Sequence, residues 1–376
     1  MKKIGIITFH NSYNCGSMLE SYAIYRKMCE IDPNTEIINF SSNGQKKIYN
    51  VFEKNTSLKN IIKNLLVFPH KKQILTNNNK YEEFKNKYFK LSKEYTENDL
   101  INDEYSILVA GSDQIWNITI DDYNDAYFLA FSNKAKKIAY APSFGSKNIM
   151  KNTDNLNKYK KLISKFDALS VREENGRKWI KELTGMDAEV LIDPTLLYNH
   201  NFYDNIIDNT CTPEFKYIFF YCPSFDRNLC KFVKKVSLKY NLPVICWSSK
   251  SYYKKFIYTF GFKLPKYESP SVYLSLIKNA ELVFTTSFHG TIFSTIYKKC
   301  FFTLKNGGMY GDDDRVITLL KQLDITERLI EPFYDEKYDY LKEMNYSNYD
   351  KNLKKLQSKA QKYIKENIGV NYEESK

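Results

Sequence analysis

Residues 3–40, KIGIITFHNSYNCGSMLESYAIYRKMCEIDPNTEIINF, open with an apolar, β-rich run from Lys3 to Phe9 and break at the polar loop HNSYNCGS. Helix-period text, MLESYAIYRKMCEI, comes next, and Thr35 to Phe40 reads as the second strand. Strand, helix and strand in that order make a βαβ unit and predict a parallel sheet. The loop sets Asn14, Gly16 and Ser17 at the helix entrance, where free amides and the helix dipole favour an anion or a hydroxyl-rich ligand. A cap at Ser17 with a turn at Gly16 accounts for the same residues equally well.

The same alternation recurs further along the chain. From Ser41 to about Leu100 the text turns Lys/Asn-rich and helical, and SLKNIIKNLLVFPHKK carries Ile61, Ile62, Leu65 and Leu66 against Lys59, Lys63, Lys71 and Lys72. A basic amphipathic helix of this kind suits a membrane surface, but the ordinary expectation is that its apolar stripe packs on the domain. Regular α/β text resumes at Tyr105 with the strand YSILVA and continues through KKIAYAPSFG, ALSV and AEVLIDPTLLY. The period lapses between Tyr198 and Phe215, which reads as a linker. A second series then runs through KYIFFYCPS, PVICWSS, ELVFTT and CFFTL, each succeeded by a helix or a turn. The expected organisation is a first domain over 1–200 with a helical insertion at about 41–100, a second over 213–345, and a C-terminal helix and tail over 346–376. A chain of 376 residues fits two such domains.

Apolar residues form 43% and charged residues 27% of the chain, which excludes wholesale disorder. No apolar run is long enough to span a membrane and the N-terminal segment lacks a cleavage site, so a soluble, cytoplasmic protein is expected. The seven cysteines are scattered without a C-x-x-C pair, which speaks for reduced thiols and against a zinc site. A net charge of +12 favours anionic partners without choosing among them, since lysine recurs along the whole length.

Ligands of open parallel sheets sit beyond the carboxyl ends of the strands, which directs attention to the loops there. TTSFHG, Thr285 to Gly290, joins an apolar strand to a helix and puts His289 at the helix start, where it can donate a proton beside a bound anion. In SVREENG, Arg172 comes directly after a strand; its guanidinium fork suits a phosphate or carboxylate, and a salt bridge to a neighbouring element fits as well. Arg315 in GDDDRV has three aspartates beside it, so a local ion pair is the first reading. GSDQIWN, Gly111 to Asn117, offers Gly111, Ser112, Asp113, Gln114 and Trp116, a mixture suited to sugar hydroxyls; Asp113 fits a general base or a turn cap. The Asp-Pro-Thr of LIDPTLL reads as structural. The chain has no G-x-x-x-x-G-K-[ST], no G-x-G-x-x-G after the first strand and no H-E-x-x-H, so neither a bound metal nor a dinucleotide cofactor is expected.

In order, IGIITFHNSYNCGSMLESYA, ILVAGSDQIWN, KIAYAPSFG, ALSVREENG, VLIDPTLL, NAELVFTTSFHGTIFSTIYKKCFF and DRVITLL resemble the polysaccharide pyruvyl transferase family, from residue 3 to about 325. The resemblance implies two Rossmann-like domains facing a cleft, similar to the B-type glycosyltransferase architecture. It further implies transfer of a pyruvyl group from phosphoenolpyruvate to sugar hydroxyls of a glycan or lipid-linked oligosaccharide, often as a cyclic ketal, with no nucleic acid involved. By motif position the functionally important residues fall on Arg172, His289 and Arg315. His289 is then the acid that protonates the methylene carbon, Arg172 and Arg315 grip the phosphate and carboxylate, and Asp113 or a nearby group orients the acceptor hydroxyl. Asn14, Gly16, Ser17, Gly111, Ser112, Gln114, Trp116 and Ser143 are expected on the acceptor side, and Ser287, Gly290 and Thr291 on the donor side. Apart from the resemblance, the basic amphipathic segment SLKNIIKNLLVFPHKK leaves a peripheral contact with the inner membrane face open. Where some members read Met-Arg-Leu-His, this chain has Thr286, Ser287, Phe288 and His289, so Ser287 stands in place of an arginine on a separate Ser-Phe-His-Gly branch. A nucleotide-sugar glycosyltransferase and a non-catalytic glycan-binding protein are the competing expectations.

Overall fold

The computed structural model describes residues 3–100, 104–306 and 313–369. The chain divides into two compact units, one of residues 1–49, 85–198 and 350–376, the other of residues 50–84 and 199–349.

The first unit is built on a parallel sheet of β1 (Ile4–Ile7), β2 (Glu36–Phe40), β3 (Leu91–Tyr95), β4 (Ile107–Ala110) and β5 (Lys136–Ala139), in the order β3-β2-β1-β4-β5. A parallel pair, β6 (Ser170–Val171) and β7 (Glu189–Val190), continues from β5 through the bridge between Ile138 and Ala168. Strands β1 and β4 are buried along their whole length, as their unbroken apolar runs require of a parallel sheet covered on both faces. β3, within a stretch expected to be helical, is the exception: LSKEY is mostly polar because it forms an edge.

The second unit repeats the plan with β8 (Ile218–Tyr221), β9 (Val244–Cys246), β10 (Leu282–Thr285), β11 (Phe301–Leu304) and β12 (Leu329–Ile330), ordered β12-β11-β10-β8-β9 and parallel throughout. Its core is aromatic, with Phe220, Phe225, Phe232, Phe262, Phe284, Phe302 and Tyr340 in one buried cluster. Both units are therefore Rossmann-like.

Three expectations about organisation are corrected. Residues 50–84 of the anticipated insertion belong to the second unit, held there by Glu53 on Lys254 (2.5 Å), by Tyr253 donating to Gln73 Oε1 (2.5 Å), and by Asn77, which donates to Ser249 Oγ (2.9 Å) and accepts from the Glu268 amide (2.9 Å). The C-terminal helix, Ser347–Asn367, belongs from Asp350 onward to the first unit rather than standing apart. There Tyr363 donates to Ala139 O (2.9 Å), Gln357 donates to Leu196 O (2.7 Å) and Ala360, Ile364 and Ile368 are buried. The helix Leu58–Val67, finally, packs Val67 but turns Leu58, Ile61, Ile62 and Leu65 to solvent. Among the described residues no helix is long and apolar enough to cross a membrane.

Candidate functional site

In the first unit the strand ends converge on a buried polar cluster. The helix Cys15–Cys29 is capped not by Ser17 but by Asn14, whose Oδ1 accepts the Gly16 amide (2.9 Å). Ser17 is thereby released into the first turn, and its hydroxyl donates to Asp113 Oδ2 at 2.5 Å. Asp113, in the loop after β4, has a left-handed backbone, φ 72°, a conformation an aspartate tolerates and most side chains do not. Its other oxygen accepts the Gln114 amide (2.7 Å), while its carbonyl accepts the Ser143 amide (2.7 Å).

Arg172, just beyond β6, is 3% exposed. One nitrogen donates to Asp193 Oδ2 at 2.6 Å, and another lies 3.7 Å from Asp113 Oδ1. Asp193, from the Asp-Pro-Thr segment, also accepts the Thr195 hydroxyl (2.6 Å) and amide (3.0 Å). Glu20, on the helix Cys15–Cys29, is fully buried, accepting from Thr8 Oγ1 (3.0 Å) and the Ser112 amide (3.1 Å). Burial, reinforced by the charges of Asp193 and Asp113, pushes its carboxyl well above the usual carboxylate range. One arginine thus holds two carboxylates together beside a third whose charged form burial disfavours. Nearby, burial and then Asp113 raise the Asp122 carboxyl to about 6, and the buried Tyr127 hydroxyl makes no hydrogen bond among the described residues.

Of the remaining residues expected here, Ser112 and Ser143 are buried in the network; Ser112 donates to Ala141 O (2.9 Å), and Ser143 to Glu173 Oε1 (3.0 Å). Gln114 Oε1 accepts from Asn117 (3.1 Å), and Gly111 fits tightly against Thr8. Trp116 lines no site. It lies in the hydrophobic core against Phe128, Phe144 and Phe166, with its indole N–H on Tyr127 O (3.1 Å).

In the second unit the loop after β10 leads into the helix Phe288–Ile296, capped by Ser287, whose hydroxyl accepts the Gly290 amide (3.3 Å). Ser287 is thus occupied as a cap at the position where an arginine was the alternative. A side chain at Gly290 would run into Thr285, which explains the glycine next to the histidine. His289 occupies the first helical turn and is 7% exposed, its ring edge-on to Phe288 (5.4 Å between centroids). The guanidinium of Arg315 lies 5.8 Å from the centre of the Phe288 ring, so Arg315 and His289 are brought to the same aromatic side chain. Arg315 is also bound by Asp313, the N-cap of the helix Asp314–Leu323, which is the local ion pair expected first. Thr291 is a packing residue, its hydroxyl on Thr303 Oγ1 (2.7 Å). Thr286 Oγ1, buried in the same loop, has no hydrogen-bond partner among the described residues.

Glu20, Asp122 and Asp193 join the first cluster, and Glu268 is buried apart from both, without any local signal of it in the sequence. By pattern Glu20 and Asp193 are simply part of a helix and of a turn, and only contacts across tens of residues reveal them. Glu268 accepts the Ser249 amide (2.6 Å) beyond the end of β9, and burial raises its carboxyl to about 7. A folded-state value above that of the unfolded chain means that the protonated acid favours folding. That contribution is complete below about 4.5, declines as pH rises, and is gone above about 7, a difference on the order of 3 kcal/mol. Denaturant titrations of the wild type and Glu268→Gln should therefore show the wild type losing ground to the variant between pH 5 and pH 8. A gap between the two that stays constant with pH would show that Glu268 does not titrate there.

Among the described residues no group of three His, Cys, Asp or Glu side chains is placed to hold a metal ion. A family model described as polysaccharide pyruvyl transferase matches residues 14–308. A search of curated proteins finds no matching relative. Among solved structures, the chain is similar to the Staphylococcus aureus MnaA–UDP co-structure, with a TM-score of 0.50 and 10% identity over 99% of this chain and 92% of that one. UDP-GlcNAc 2-epimerase from Neisseria meningitidis bound to UDP-GlcNAc matches with a TM-score of 0.46 and 10% identity over 99% and 95% of the two chains. The Escherichia coli heptosyltransferase WaaC matches with a TM-score of 0.38 and 9% identity over 81% and 89%. The first of these likenesses supports the fold alone, two Rossmann-like units of the B-type glycosyltransferase kind.

Proposed function

Because the chain belongs to the polysaccharide pyruvyl transferase family, we propose that it moves a pyruvyl group from phosphoenolpyruvate onto a hydroxyl pair of a cell-surface polysaccharide or its precursor. The observation that carries this reading is the family match over residues 14–308, which includes His289 in the first turn of its helix; Arg315, beyond the matched stretch, rests on the neighbouring Phe288 ring.

The chemistry asks for an acid and for cations. An acceptor hydroxyl adds to the central carbon of phosphoenolpyruvate while the methylene carbon takes up a proton; a second hydroxyl then displaces phosphate, leaving a cyclic ketal and inorganic phosphate. His289 is the proton donor in this proposal, and the amides of its helix start, with Arg315, favour the anionic donor. Asp113 is the group that orients the acceptor hydroxyl. Arg172, expected from the sequence to grip the donor, already binds two carboxylates; that contact favours a role in holding Asp113 in position. The seven cysteines stand as thiols, which fits a reducing, cytoplasmic setting.

Purified protein incubated with phosphoenolpyruvate and a panel of lipid-linked and soluble glycans should release phosphate and add a pyruvyl mass increment to one of them. Absence of both, together with thermal stabilisation by a nucleoside diphosphate and none by phosphoenolpyruvate, would instead identify a nucleotide-sugar enzyme.

A further inference from the structure

The helix Leu58–Val67 is built inside out. Leu58, Ile61, Ile62 and Leu65 recur at the spacing of a single helical face, and they are 78%, 41%, 52% and 67% exposed. The face turned toward the protein carries the buried Val67 and, beside it, polar contacts. Asn64 accepts the Glu53 amide (2.9 Å) and donates to the Glu53 carbonyl (2.8 Å), while Lys63 pairs with the Glu53 side chain (2.9 Å). Phe68, directly after the helix, is 66% exposed and extends the apolar stripe by one more turn.

The helix packs on the helix Ser249–Lys254 of the same unit. Just after that helix Phe256, held at a left-handed φ of 55°, and Tyr258 both face solvent. The segments that carry these exposed side chains are basic. Between Asn50 and Thr76 stand five lysines and one acidic residue, Glu53, which is itself taken up by Lys63 and Lys254; from Ser249 through Lys263 there are four lysines and no acidic residue. A stripe of large apolar side chains left in solvent in a basic segment is unusual on a protein that meets only water.

We propose that this face is a membrane-docking surface, on which Leu58, Ile61, Ile62, Leu65 and Phe68 enter the headgroup–acyl boundary of an anionic lipid surface and the flanking lysines bind its phosphates. The charge decides the occupant: lysines are drawn to the phosphates of an anionic bilayer, and the apolar stripe matches the shallow insertion of an interfacial helix. Docking depends on this surface alone and stands or falls separately from pyruvyl transfer.

The test is co-sedimentation of the full chain with phosphatidylcholine vesicles, with and without phosphatidylglycerol, at low and high salt. Binding should require phosphatidylglycerol, weaken in high salt, and fall roughly tenfold or more in Ile62→Ser/Leu65→Ser, a change that removes apolar surface without adding charge. Both positions are exposed, so the variant should keep the wild-type melting temperature, which separates lost binding from lost folding. Equal binding by the variant, equal binding to neutral vesicles, or no binding at all would overturn the proposal. So would a wild-type dimer in sedimentation velocity that the same substitutions convert to monomer, because the patch would then be a contact between copies.

Discussion

His289→Ala is expected to lower phosphate release from phosphoenolpyruvate and acceptor by about 100-fold or more, with a much smaller change in KM. The expectation comes from where the side chain stands. It lies in the first turn of the helix Phe288–Ile296, beside amides with no intrahelical acceptor, and next to the phenyl ring on which Arg315 rests. Protonation of the methylene carbon is the step for which no other group of that loop is suited, since Thr285, Thr286 and Ser287 carry only hydroxyls, two of them engaged in capping or in the backbone network. The defect should therefore fall on kcat. Wild-type turnover in His289→Ala would remove the histidine from the mechanism, whatever the donor proves to be.

Arg172→Ala should be the most damaging single change in the first unit, costing about 3–5 kcal/mol of stability and most of the activity. The guanidinium is buried with Asp193 at 2.6 Å and Asp113 at 3.7 Å, and Glu20 stands close enough to both carboxylates for their charges to raise its own carboxyl. Removing the cation leaves like charges together in a site that water does not reach, so the loss comes from the carboxylates left behind more than from the bond removed. Two comparisons separate this account from a loss of packing. Arg172→Lys should recover little, because one ammonium cannot span two carboxylates as the planar fork does. Arg172→Met combined with Asp193→Asn should be more stable than Arg172→Met alone, since the second change removes an uncompensated charge. Additive effects in that pair, measured by denaturant unfolding, would show that the two side chains do not share the interaction inferred for them.

Much of the molecule is legible in local pattern. Continuous apolar runs such as ILVA, IFFY, LVFT and FFTL predict strands buried on both faces, and each forms one. The strand-to-helix loop at His289 is also readable, because chain direction, rather than any distant contact, sets which residues lie beyond the end of a parallel strand. Other features have no local signal. Ser17 fits a cap by pattern, yet Asn14 takes that role and frees the Ser17 hydroxyl for Asp113, 96 positions away. Trp116 shares a loop with Asp113 but turns into the core, because a large ring gains more from burial among Phe128, Phe144 and Phe166 than from the rim.

The amino-acid sequence by itself determined two parallel α/β units, the loop that presents His289 and the family to which the chain belongs, because periodicity and motif order are properties of neighbouring residues. The tertiary structure alone decided that residues 50–84 join the second unit and the C-terminal helix the first, that Arg172 meets Asp193 and Asp113, and that the stripe of Leu58, Ile61, Ile62 and Leu65 faces outward. A helical period states that two faces differ; which of them is covered depends on what the rest of the chain folds against it.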